Sequence, residues 1–126
     1  MATMTSALHA TPGTATADDW IQELASARAR MTARGGQPGV ATPQQVAGKS
    51  GLQIMQAMLD GELPYPHIAQ TLDFGLVEVA HGRAVFQGTP QLMHYNPLGS
   101  VHGGWFATML DSALGYAVHT SLAAGL

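Results

Sequence analysis

Four positions in one stretch of the chain have the residue types that acyl transfer needs: Asn96, His102, Gly103 and Asp111. The first three lie in HYNPLGSVHGG, residues 94–104, which runs directly into a long apolar segment containing the fourth. Gly103 and Gly104 at a helix start let another group approach the backbone closely. The free N–H groups of that first turn, at the positive end of the helix dipole, suit a developing oxyanion. His102 beside them can give or take a proton or orient a substrate, and Asn96 can hydrogen-bond a carbonyl or a water. Asp111 supplies a carboxylate for a general base or nucleophile. Plainer uses exist for two of them, the histidine as a loop hydrogen-bonder and the carboxylate in a structural network.

The distribution of charge sets Asp111 apart. The 126 residues are 46 % hydrophobic and 10 % charged, with five Lys+Arg against eight Asp+Glu. All the basic residues lie at or before Arg83, and beyond it the only formal charge is Asp111. A segment so poor in charge is expected to be buried, in its own core or against another chain, and Asp111 to be desolvated. Removing a lone carboxylate from water costs several kcal/mol unless something pairs with it, which favours a functional reading. With no basic stripe, neither nucleic acid nor an anionic membrane surface is an expected partner. With no cysteine there is no disulfide framework, thiol nucleophile or thiolate metal site; no metal or cofactor is expected. The Ala- and Thr-rich start lacks the basic and apolar regions of a secretory signal, and a cytoplasmic location is expected.

The elements that must position these residues follow from periodicity. Residues 1–17 offer none and are expected to be disordered. Over residues 18–34, Trp20, Leu24, Ala27 and Met31 share one helical face, with acids in the first turns and arginines in the last. Residues 35–49, which hold two prolines and four glycines, read as a linker. Ser50 caps a short helix with Leu52, Met55, Met58 and Leu59 on one face, ending at Asp60-Gly61. After a proline-containing turn, Phe74 to Ala80 and Arg83 to Gly88 form a hairpin through His81-Gly82, with Leu76 or Val77 facing inward.

Residues 104–122 are apolar almost all round and too long for a strand, so a buried helix is expected. Thr108, Asp111, Ser112, Gly115 and His119 interrupt the run and argue against a membrane span. At their spacing they line one face. Gly104, Thr108, Ser112 and Gly115 are thereby candidate substrate-binding positions beside the catalytic candidates. Gly103 and Asp111 are eight positions apart, roughly 12 Å along a helix axis, too far for one carbonyl to meet both. If they act together, one must come from each of two antiparallel helices across a two-fold axis.

The stretch GLQIMQAMLDGELPYPHIAQTLDFGLVEVAHGRAVF followed by HYNPLGSVHGGWFATMLDSALGYAV resembles the first half of a PaaI-like (4-hydroxybenzoyl-CoA thioesterase type) hotdog-fold acyl-CoA thioesterase, over roughly residues 50–126. That resemblance implies an α+β hotdog fold, a long central helix wrapped by an antiparallel sheet. It also implies hydrolysis of an acyl-CoA to free acid and CoA at the interface of a homodimer or dimer of dimers. Position by position, Asp111 matches the acidic base or nucleophile, Gly103 the N–H that polarises the thioester carbonyl, His102 the adjacent histidine and Asn96 the upstream amide. Gly115 stands where relatives often carry a small polar residue. The hydratases of the same fold carry a motif similar to D-x-N-P-L-H, and His94-Tyr95-Asn96-Pro97-Leu98-Gly99 lacks both its Asp and its His. A hotdog sheet has further strands after its helix, and only a handful of residues follow this one. The expectation is therefore the N-terminal part of the fold (short helix, hairpin, central helix), truncated, with the residue 18–34 helix as the internal candidate to cover what is left open. Its activity is expected to be impaired to match, a non-catalytic acyl-CoA-binding or assembly module and an inactive fragment being the alternatives.

Overall fold

The computed structural model describes residues 15–126, an α+β arrangement of five α-helices and one two-stranded antiparallel sheet among those residues. Helix α1 (Ala17–Ala33) opens with a capping box: Thr16 Oγ1 accepts from the Asp19 N–H, and the Asp19 carboxylate accepts from Thr16 N. It buries Leu24, Ala27 and Met31 as the spacing requires, but Trp20 is 57 % exposed. Further along the helix Glu23 is hydrogen-bonded by Gln87 of the hairpin and Leu24 lies against Gly75. The disorder expected for residues 1–17 falls outside the described residues as far as residue 14, while Thr16 and Ala17 belong to the start of α1.

The segment read as a linker holds structure. Thr42 and Gln45 form a second capping box on the single turn α2 (Pro43–Val46), and Pro38 bridges Tyr65. Backbone pairing and capping stand in for the apolar side chains it lacks. Ser50 and Gln53 cap α3 (Gly51–Leu59) as expected; it buries Met55 and Leu59 and half-buries Leu52 and Met58. The turn before the sheet contains one unforeseen element, α4 (His67–Thr71), started by Pro66 at its N-cap.

Strands β1 (Phe74–Ala80) and β2 (Arg83–Gly88) pair antiparallel, closed by His81-Gly82, where Gly82 takes a φ of 69° that favours glycine. A bulge interrupts the register between Leu76 and Glu78. Strict alternation would bury either Leu76 or Val77; the extra residue lets both be buried, in one cluster with Leu24, Ala27 and Leu59.

Helix α5 (Gly103–His119) lies mainly on β2, with lesser contact to β1 and α3. Trp105 is buried and donates from Nε1 to the Leu72 carbonyl at 2.6 Å. Tyr116 sits edge-on to Phe86, centroids 5.1 Å apart. At the far end, buried Thr120 accepts from Gly82 N at 2.9 Å, clasping the hairpin turn. Gly51 N donates to Leu122 O, and a Cβ at Gly51 would fall 1.7 Å from His119 O, so glycine permits the α3–α5 joint.

Within a single copy the core covers only part of α5, so its own fold supplies only part of the burial expected for it. Of its residues only Trp105 is buried, whereas Phe106, Leu110, Leu114 and Val118 are 47, 59, 68 and 65 % exposed. A two-stranded hairpin covers one side of a helix, and α1 packs against β1, α3 and β2 instead of crossing α5. Asp111, on the uncovered side, is exposed where desolvation was expected.

Candidate functional site at the start of helix α5

The residues before α5 form a closed loop. Tyr95 bridges Val101, Asn96 N donates to Ser100 O at 2.8 Å and His102 N to His94 O at 2.8 Å. Asn96 is the pivot of this loop: its Oδ1 accepts from the N–H groups of Leu98 (2.9 Å) and Ser100 (3.3 Å), and its Nδ2 donates to Ser100 Oγ at 2.8 Å. The side chain expected to hold substrate or water thus spends its carbonyl and one N–H on shaping the turn.

His102 is the N-cap of α5, its Nδ1 accepting from Gly104 N at 2.9 Å. In the neutral ring the proton then sits on Nε2, which has no partner among the described residues and lies on an exposed side chain. His102 is in this way fixed to offer a donor outward. The cap also accounts for Gly104, because a Cβ there would lie 2.9 Å from that Nδ1.

Gly103 has no such structural duty. A Cβ at this position would meet nothing within 4 Å and its φ is not positive, so nothing in the fold demands glycine. Its N–H, the first of α5, has no acceptor among the described residues and sits at the positive end of a 17-residue helix.

Asp111 lies two turns further along α5, with no hydrogen-bond or salt-bridge partner among the described residues. Of the residues sharing its face, Thr108 is half-buried and donates back to Gly104 O at 2.8 Å, Ser112 and His119 are half-buried, and Gly115 is exposed with open space where a Cβ would be. The structure brings Asn96, His102 and Gly103 to one end of α5 and leaves Asp111 roughly 12 Å away along the axis. No family model, curated protein or solved structure matches the chain. The case for a site therefore rests on this geometry.

Sequence reasoning missed the groups that hold the site in place. His94 is buried; its Nδ1 accepts from Gln91 N at 2.9 Å and its Nε2 meets the Thr71 carbonyl at 3.0 Å, which places the proton on Nε2. It joins α4 to the loop, and Trp105 pins the first turn of α5 to Leu72. A histidine in a polar loop gives no periodic signal; the capping spacing Gln91 to His94 was the available one.

Proposed function

We propose that this chain is an acyl-CoA thioesterase of hotdog type that works as a homodimer, its active site assembled from Gly103 of one copy and Asp111 of the other. The observation that carries the reading is the pairing, on the solvent-facing side of α5, of an unclaimed Gly103 amide at the N-terminus with an unpartnered carboxylate at Asp111. Beside them the apolar stripe Phe106, Leu110, Leu114, Val118 is open for a partner to cover. Two copies of α5 running antiparallel across a two-fold axis place each Gly103 opposite the other copy's Asp111. Covering the stripe removes water from the site, which strengthens the amide–oxyanion bond.

In this scheme the thioester carbonyl accepts from the Gly103 N–H, with the α5 dipole stabilising charge as it develops on that oxygen. Asp111 takes a proton from a water whose oxygen bonds to the carbonyl carbon, and gives that proton to the sulfur as the C–S bond breaks, so that CoA leaves as the thiol. If Asp111 attacks the carbonyl itself, CoA leaves as a thiolate that takes a proton from water, and a second water hydrolyses the Asp111 anhydride to the free acid. His102 donates from Nε2 to hold the substrate, and Asn96 keeps the loop before α5 in shape. Gly104, Thr108, Ser112 and Gly115 leave a small-residue path for the substrate.

The test is release of free CoA thiol from acyl-CoA esters by the full chain between pH 6 and 9. Turnover that is lost in Asp111→Asn supports the reading. Acyl-CoA binding without thiol release supports a non-catalytic acyl-CoA-binding module instead, and neither binding nor release removes both.

A further inference from the structure

Where Tyr116 of α5 meets the hairpin, away from the exposed Asp111, lies a second feature, a cavity of about 370 Å³. It shares no lining residue with the Asn96–Asp111 group. Its volume falls within the usual range for small-molecule sites. The apolar walls come from four elements: Met31 of α1, Met58 of α3, Phe74 and Phe86 of the hairpin, and Tyr116 of α5. Thioether and aromatic side chains are polarisable and adapt to a guest's shape.

Two polar features limit what fits. Along the rim, Arg28 is already paired with Asp73 at 2.8 Å, and these are the cavity's only formally charged lining residues. An ion entering would give up its hydration for a rim with no net charge, so the cavity selects against ions. Within the walls, the Tyr116 hydroxyl has one partner, the Met58 thioether at 3.7 Å, and sulfur is a weak acceptor. Burial pushes the Tyr116 phenol up from its ordinary pKa, which keeps it a neutral donor through the physiological range.

We infer that this cavity is a binding site for an uncharged, compact, mainly apolar molecule carrying one carbonyl or hydroxyl oxygen, which takes the Tyr116 hydroxyl from Met58. The exchange replaces a thioether acceptor by an oxygen, the better partner for a phenol. Access is past the exposed rim residues Arg28, Thr32 and Gln70, and α1 forms that wall. The inference is independent of the thioesterase reading, because none of its lining residues belongs to that site.

The test uses three matched probes with the full chain: acetophenone (neutral, one carbonyl), toluene (no acceptor) and benzoate (charged), followed by saturation-transfer NMR titration. Acetophenone is expected to bind saturably, more tightly than toluene, with benzoate weaker than both. Tyr116→Phe keeps the cavity's shape and is expected to weaken acetophenone about three- to tenfold while leaving toluene unchanged, the worth of one neutral hydrogen bond. Leu110→Asp with Leu114→Asp, on the outer stripe, is expected to leave acetophenone binding as it was. The inference is overturned if none of the probes saturates, if benzoate binds best, if Tyr116→Phe affects acetophenone and toluene alike, or if the outer-stripe variant abolishes binding. Circular dichroism of each variant confirms that the fold is retained before its titration counts.

Discussion

At the scale of single residues, Gly103 and Asp111 separate function from fold. Asp111 is exposed and unpartnered among the described residues, so Asp111→Asn is expected to change stability by no more than about 0.5 kcal/mol, as surface substitutions do. The same change is expected to lower kcat at least about a hundredfold if the carboxylate is the base or nucleophile. Chemical denaturation beside a steady-state thiol-release assay checks both halves. Gly103 costs α5 stability that the fold does not need to give up. Gly103→Ala is expected to stabilise the chain by up to about 1 kcal/mol and to slow turnover by crowding the amide. Tyr116 gives the pH dependence. Its folded pKa is raised by burial, so the folded state holds this proton more tightly than the unfolded state. The stabilisation is complete below the unfolded value, about 10, and is lost as pH rises through the folded one. Thermal melts between pH 9 and 12 are expected to fall more steeply for the native chain than for Tyr116→Phe.

At the scale of elements, capping and periodicity were legible and tertiary cover was not. Ser50 before Leu52, and Phe74–Ala80 with Arg83–Gly88 around His81-Gly82, are found where their local chemistry put them. Local signals suffice there because each cap or turn is satisfied within a few residues. The bulge at Leu76–Glu78 was visible only as an ambiguity, two adjacent apolar residues competing for one inward position. The short elements within residues 35–49 and at His67–Thr71 were not legible, because their order comes from partners distant in sequence, such as Pro38 with Tyr65, or from a proline N-cap. For the site, the helix start was legible, while the use of His102 as its cap and the commitment of Asn96 to its own loop were not. The joint between the site loop and the body is Trp105. Trp105→Ala removes a buried ring and its bond to Leu72 O and is expected to cost about 3–5 kcal/mol. Urea denaturation monitored by circular dichroism measures it, and activity is expected to disappear with the fold, in contrast to Asp111→Asn.

At the scale of the whole molecule, the sequence's lack of charge after Arg83 pointed to burial in its own core or against another chain, and in a single copy α5 turns Phe106, Leu110, Leu114 and Val118 outward. Each large apolar side chain left uncovered forgoes about 1.5–3 kcal/mol. Half covered already, the four of them in one stripe make a surface whose further cover is worth roughly half their full burial, a substantial part of a small domain's net stability. Among the described residues no helix is long and apolar enough to cross a membrane. In the proposed dimer a second copy covers the stripe and, in the same step, brings Gly103 to Asp111. Self-association and catalysis are then one property, and Leu114→Glu is expected to abolish both, read by sedimentation and thiol release.

The most direct measurement of that claim is complementation between two inactive variants. Gly103→Pro removes the amide hydrogen, and proline is tolerated at the first position of a helix, after a His102 already at φ −63° and ψ 134°. Asp111→Asn removes the carboxylate. Each variant alone is expected to release almost no CoA from benzoyl-CoA or hexanoyl-CoA. Mixed in equal amounts and allowed to exchange subunits, they are expected to recover about a quarter of native activity. Half of the dimers are then mixed, and each mixed dimer has one intact site of two. Activity that stays at the level of the separate variants, although mixed dimers are shown to form, would contradict a site shared between Gly103 and Asp111 of different copies.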